Sequence, residues 1–95
     1  MLKVNFSRQA AKFIKKLSAK HARQIATKIT ELRSNPYPQD SIKLKGYPYY
    51  RTDSGEYRII YQVEAGYQVE GSVLEILLIG KRNDDEVYKQ LRRQR

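Results

Sequence analysis

The hydrophobic period changes once along this chain, and that change dictates the fold class. Between residues 7 and 34 the apolar side chains recur at helical spacing. Ala10, Phe13, Ile14 and Leu17 form one stripe, and Ala22, Ile25, Ile29 and Leu32 form a second. From Lys43 onward the period falls to two, and Gly and Pro punctuate strands instead of ending helices. The pivot is the segment SNPYPQD. Pro36 cannot continue a helix and moves Asn35 out of the α region, so a turn is predicted there. A chain of 95 residues has room for one core, so both halves belong to a single domain, residues 1–95.

In detail, Leu2 to Phe6 reads as a short strand and Ser7 as the cap of the first helix. A break near Ser18 to His21 leads to the second helix, and the two form a hairpin. Tyr49 to Thr52 is the next strand, followed by a turn at Asp53-Ser54-Gly55-Glu56. Tyr57 to Val63 alternates, with Tyr57, Ile59, Tyr61 and Val63 on one face and Arg58, Ile60 and Gln62 on the other. Tyr57 and Tyr61 are therefore core candidates. Glu64 to Ser72 is expected to be a loop or an extended hairpin tip, and the apolar run VLEILLI from Val73 to Ile79 a strand covered on both faces. Asp84, Asp85 and Glu86 suit the start of a last helix, and Arg92, Arg93 and Arg95 its end. The predicted class is α+β in the order β-α-α-β-β-β-α. An antiparallel sheet is packed on one face by the N-terminal helical hairpin and the C-terminal helix.

Charge divides the chain along the same line. Residues 1–51 hold twelve basic and two acidic side chains, whereas residues 52–95 hold seven basic and eight acidic, for a total of +9. The positive field of the first half favours nucleic acid as a partner, with an acidic protein as the other candidate. Without cysteine, disulfides and thiolate metal sites are excluded. A single histidine, His21, leaves no His-pair ribonuclease, Ser-His-Asp triad or zinc site, and its expected role is local capping. The glycines form no phosphate-cradling loop, and consecutive acids at 84–86 point apart on a helix, so no metal and no cofactor are expected. Neither a signal-peptide h-region nor a bilayer-spanning run is present, and a cytoplasmic protein with no membrane partner is anticipated.

The stretches LKGYP (Leu44 to Pro48), YRTDSGEYRIIYQV (Tyr50 to Val63) and ILLIGKRNDDEVYK (Ile76 to Lys89) resemble the RelE toxins of the RelE/ParE superfamily. The YRIIY strand and the spacing GKR-x5-Y from Gly80 to Tyr88 are the most specific parts, and the resemblance extends over nearly the whole chain. It implies a toxin of a type II toxin-antitoxin pair: a metal-independent endoribonuclease that cuts messenger RNA in the ribosomal A site and is silenced by a RelB-like antitoxin in a hetero-oligomer. By the same resemblance Arg58 and Arg82 bind phosphate, and Tyr88 stacks on a base or orients the attacking hydroxyl.

The chemistry is consistent with those residue types. Cleavage without a metal needs fixed cations on the developing phosphorane, and arginine grips two phosphate oxygens without losing its charge. For Arg58 and Arg82 the alternative is an ion pair with Glu56 or Glu75; for Tyr88 it is packing with Val87 and Leu91. At Asp53 the chain departs from the family, which commonly has a basic residue there. Arg51 joins the phosphate cluster on this reading, while Asp53 orients it, accepts the proton, or merely forms the turn. Lys43, Lys45 and Tyr88 are the other candidate proton acceptors. Contacts to ribosomal RNA are assigned to Lys12, Lys15, Lys16, Lys43, Lys45 and Lys81, together with Lys3 and Arg8. Two rival functions remain: a ParE-like gyrase poison and a non-catalytic RNA-binding domain.

Overall fold

A computed structural model describes residues 1–64 and 71–93, apart from the side chain of Asp84. Its elements are β1 (Lys3–Phe6), α1 (Arg8–Lys15), α2 (Ala19–Ser34), β2 (Ile42–Lys43), β3 (Tyr50–Ser54), β4 (Tyr57–Glu64), β5 (Val73–Lys81) and α3 (Glu86–Arg93). They build a five-stranded sheet in the order β1-β5-β4-β3-β2.

Ser7 caps α1 as expected, its Oγ accepting from the Ala10 amide at 3.1 Å. Ser18 caps α2 in the same way through the His21 amide, so the inter-helix break lies at residues 16–18 and the second helix begins at Ala19, earlier than the sequence suggests. The helical stripes pack onto one face of the sheet. Ala10, Ile25, Ile29 and Leu32 are buried there against Tyr57, Ile59, Tyr61, Leu74, Ile76 and Ile79. Burying this many apolar side chains is the principal stabilising term for a domain of this size.

Besides the added edge strand β2, two features of the sheet differ from expectation. It is mixed, because β1 runs parallel to β5, with Val4 opposite Leu74; the other three pairings are antiparallel. Gln9 extends this pairing. Its side-chain amide donates to the Ile79 carbonyl at 2.9 Å and accepts from the Ile79 amide at 3.0 Å, continuing the ladder beyond Phe6 while α1 runs alongside β5. The second difference is that helices cover both faces. α3 lies opposite α1 and α2, where Val87 and Leu91 bury against Ile60 and Leu78.

β5 is therefore an interior strand with apolar cover on both sides, as its composition predicts. A register shift opposite Ile60 and Tyr61 leaves Leu77 as an extra residue, so Leu74 and Ile76 reach the same face as Ile79 while Leu77 and Leu78 serve the other. Val63 also packs on the first face. The acidic run does not simply open the last helix. Arg82 to Asp84 forms a 3-10 turn, Asp85 takes a left-handed conformation with φ 54°, and Glu86 alone of the three sits in the first turn of α3. The expected loop from Glu64 to Ser72 lies largely outside the described residues, as does Arg95.

Candidate active site

The β3–β4 hairpin positions most of the candidate residues. Its turn has two residues, Gly55 and Glu56, not the four that the sequence suggests, so Asp53 and Ser54 belong to β3. Gly55 has φ 59°, a left-handed conformation that favours glycine, and the Gln24 side-chain amide of α2 rests in the space a Cβ would take. The register then sets Asp53 opposite Arg58 and Arg51 opposite Ile60. Strand alternation directs Arg51, Asp53 and Arg58 to the face that α3 covers.

Gly80 brings α3 down onto that face. It pairs with Arg58, and a Cβ at this position would stand 2.9 Å from Val87 Cγ1. Without a side chain there, the helix approaches closely enough for Tyr88 to reach the arginines. Arg58 Nη1 donates to Tyr88 Oη at 2.9 Å and Arg51 Nη1 donates to the same oxygen at 3.1 Å. Arg58 also lies over the Tyr88 ring, 5.7 Å from its centroid. Both phenol lone pairs are then occupied by guanidinium donors, and the hydroxyl hydrogen is directed away from them.

Asp53 grips Arg58 with both oxygens, from Nε at 2.8 Å and Nη2 at 3.3 Å. Arg82 approaches the same carboxylate, Nε to Oδ2 being 3.6 Å. The hairpin turn holds Arg82 in place: its amide donates to the Glu56 carbonyl at 2.9 Å and its Nη1 to the Gly55 carbonyl at 2.9 Å. Arg58 is the buried member, with 16% of its side chain exposed against 52% for Arg82 and 39% for Asp53. The hydrogen bond from Arg58, aided by the charges of Arg58, Arg82 and Arg51 and opposed by burial, holds the Asp53 carboxyl below the usual carboxylate range. Three guanidinium groups face one carboxylate, leaving two positive charges in excess. Between Arg58, Arg82, the turn and Asn83 a cavity of about 460 Å³ opens, within the size range that takes a small ligand.

The arrangement therefore presents fixed cations, a phenol hydroxyl and an adjoining void. It suits an oxyanion flanked by groups that donate protons or hydrogen bonds. Neither Glu56 nor Glu75 is the ion partner of the arginines; that role falls to Asp53.

The candidate lysines are elsewhere. Lys12, Lys15 and Lys16 are exposed on and just beyond α1, across the sheet from the arginines. Lys43 lies on the edge strand β2, its Nζ donating to the Tyr47 carbonyl at 3.3 Å, and Lys45 is exposed in the following loop. Lys81 is exposed at the end of β5 and pairs with Tyr57, which puts it on the α1–α2 side of the sheet. His21 does not cap a helix; its Nδ1 lies 2.7 Å from Tyr57 Oη and 3.6 Å from Glu56 Oε1. Among the described residues no group of three His, Cys, Asp or Glu side chains is placed to hold a metal ion, and no helix is long and apolar enough to cross a membrane.

Sequence reasoning does not reach the double donation to Tyr88 or the cavity wall built by Gly55, Glu56 and Asn83. The signal for the first was available. A two-residue turn at Gly55-Glu56 fixes the 53–58 and 51–60 pairs, and these share a face.

Comparison with known proteins identifies the family and the fold. A family model described as the ParE toxin of the type II toxin-antitoxin system parDE matches residues 4–86. The isolated Escherichia coli RelE toxin superposes with a TM-score of 0.71 at 28% identity, covering 99% of this chain and 98% of its own. An archaeal RelE–RelB complex from Pyrococcus horikoshii OT3 gives 0.70 at 29% identity, covering 87% and 97%. A YoeB/ParE toxin from Agrobacterium tumefaciens, at 19% identity, shares the fold with a TM-score of 0.69 over 85% and 99%. No curated protein sequence matches the chain. The match over residues 4–86 and the superposition along nearly the whole length of RelE lead to one assignment: the chain belongs to the RelE/ParE superfamily of type II toxin-antitoxin toxins.

Proposed function

We propose that this toxin is a ribosome-dependent, metal-independent endoribonuclease that cuts messenger RNA in the ribosomal A site and so halts translation. One observation carries the reading: Arg51 and Arg58 converge on the Tyr88 hydroxyl while Arg58 and Arg82 flank an open cavity. In this scheme the 2′-oxygen attacks phosphorus and the bond to the 5′-oxygen breaks, leaving a cyclic phosphate and a free 5′-hydroxyl. Arg58 and Arg82 neutralise the charge gathering on the non-bridging oxygens, the largest single contribution available to such a site. Arg51 joins them and holds Tyr88.

Proton transfer is the least furnished task. Asp53 is bound by Arg58 and held below the usual carboxylate range, which makes it a weak base and a strong orienting group. Lys43 is tied to the Tyr47 carbonyl. Lys45 is exposed in the loop after β2, so of the candidates Tyr88 alone sits within the arginine cluster; it gives its hydroxyl proton to the departing 5′-oxygen, while the ribosome supplies in-line geometry and the group that takes the 2′-hydroxyl proton. A site so sparse is a poor free nuclease and a reasonable one once its substrate is held for it. Lys43 and Lys45 contact ribosomal RNA from the sheet edge, and Lys12, Lys15, Lys16 and Lys81 from the opposite face of the sheet. A RelB-like antitoxin completes the assignment, since solved relatives include RelE bound to RelB. The protein acts in the cytoplasm, where ribosomes and messenger are.

Transcripts mapped by primer extension after brief expression test this. Wild type is expected to leave a cut at a fixed position within codons, and Arg82→Ala and Tyr88→Phe to abolish it together with growth arrest. The matching family model bears the ParE description, which favours gyrase poisoning as the second reading. Inhibition of gyrase supercoiling without transcript cleavage would establish that reading instead. Neither effect would leave a non-catalytic RNA-binding domain.

A further inference from the structure

The loop leading into β3 carries an aromatic feature that the catalytic reading leaves unused. Tyr47 and Tyr49 stack with ring centroids 5.9 Å apart and planes inclined by 20°. Pro48 between them has a fixed φ. The loop is closed by hydrogen bonds from the Leu44 amide to the Tyr49 carbonyl at 2.9 Å and from the Tyr47 amide to the Leu44 carbonyl at 3.4 Å. The pair is thus held in place before any ligand arrives. Both tyrosines are half-buried against the core of Ile60, Leu78, Val87 and Leu91, the same core that Tyr88 joins. Tyr49 precedes Arg51 by two residues, which in extended chain sets neighbours on one face roughly 6.5 to 7 Å apart. That is about the reach of one unstacked nucleotide.

We propose that Tyr47 and Tyr49 form a base-stacking subsite for single-stranded RNA, seating the nucleobase next to the phosphate held by Arg51 and Arg58. The inference rests on the ribonuclease reading above and deepens it by naming where a base sits. Aromatic faces beside an excess of two positive charges complement a flat base joined to an anion. Stacking of this kind accepts every base, which suits a toxin that must meet many messages. An antitoxin segment would satisfy the arginines with acidic groups and pack on the tyrosines through aliphatic contact. Leucine would serve that contact as well as tyrosine.

The test is binding of a labelled, 2′-O-methylated RNA hexamer that cannot be cleaved, beside the same hexamer with one abasic nucleotide stepped along it. Wild type is expected to lose about tenfold in affinity at one abasic position. The Tyr47→Leu/Tyr49→Leu variant should bind the intact hexamer as weakly as wild type binds the abasic one, and Tyr49→Phe should bind like wild type. Equal binding of the two hexamers by wild type overturns the proposal without recourse to any variant, so a folding defect cannot hide the answer. Leucine substitutions that weaken antitoxin capture but leave hexamer binding unchanged overturn it in favour of a protein-docking face. Because the hexamer is never cut, its binding is judged separately from nuclease activity. Failure of wild type to cleave transcripts on ribosomes would sink the ribonuclease reading and leave the stacking result to stand or fall alone.

Discussion

Replacing Asp53 with asparagine should move stability and RNA affinity in opposite directions. The carboxylate occupies Arg58 with both oxygens and lies 3.6 Å from Arg82, so on the proposed ribonuclease reading an entering phosphate has to compete with it. Removing one negative charge about 5 Å from a bound phosphate relieves about 0.8 kcal/mol at the dielectric constant of water and about 3.3 kcal/mol at an effective value near 20. A middle figure of about 1.5 kcal/mol corresponds to roughly tenfold tighter binding. The same change costs the fold its two-point ion pair. With 39% of the Asp53 side chain exposed, solvent screens that pair, and the loss is about 1 kcal/mol, or roughly 4 to 8 °C in melting temperature. The assay is equilibrium binding of a non-cleavable RNA at low and moderate salt, run beside thermal melting. Affinity that falls in step with melting would refute the competition argument and show that Asp53 serves by aiming Arg58. Cleavage is expected to persist in Asp53→Asn, whereas a loss of about a hundredfold or more would make the carboxylate a proton acceptor. The pH dependence has a defined sign. Because the folded-state value lies below the ordinary 3.8, the stabilisation is complete above 3.8 and disappears as pH falls through the depressed value, and the asparagine variant should lack that component.

Gly80→Ala should retain the fold at a cost of about 1 to 3 kcal/mol and lose most transcript cleavage, because the new methyl meets Val87 and lifts Tyr88 from the arginines. Wild-type cleavage by this variant would show that the helix position is not critical. Burial holds the Tyr61 hydroxyl above its ordinary 10.0, so this group stabilises the fold below pH 10 and ceases to do so as pH rises through the raised value. Tyr61→Phe removes the 2.6 Å hydrogen bond to the Pro36 carbonyl. It should cost about 1 kcal/mol at neutral pH and flatten the alkaline decline in melting temperature. Changing Lys12, Lys15 and Lys16 together to alanine should reduce the slope of log affinity for ribosomes against log salt by about 2 to 3. An unchanged slope would remove that surface from docking.

What could be read from the sequence was whatever a single element decides. Ser7, the two helical stripes and the alternation of Tyr57, Ile59 and Tyr61 each declare themselves within a few residues, and the structure places them as read. Features that depend on two elements meeting were not legible. A four-residue strand does not state its direction, and the parallel pairing of β1 with β5, extended by Gln9 from α1, involves residues some seventy positions apart. Two-residue β2 is too short for any period to register. The extra residue in β5 hides within a run that is apolar throughout. At the site, the family resemblance pointed to Arg58, Arg82 and Tyr88, with Arg51 set beside them, yet the four-residue turn expected at 53–56 concealed the pairing of Asp53 with Arg58. Helix acids at 84–86 followed dipole preference in principle. The left-handed Asp85 shows that the chain instead needed a corner to bring α3 onto the opposite face.

The partnership of β1 with β5 has a consequence for biosynthesis. Lys3 finds its neighbour in Val73, and the amide of Ser7 is satisfied by Ile76, some seventy residues later in the chain. Contacts of such long sequence separation form slowly and only once both ends exist. Arg82 and Tyr88 emerge later still. A nascent chain that stops short of β5 therefore leaves β1 without its partner, and the arginine–tyrosine cluster, which needs Arg82 and Tyr88 as well as the β3–β4 hairpin, assembles only after that pairing is possible.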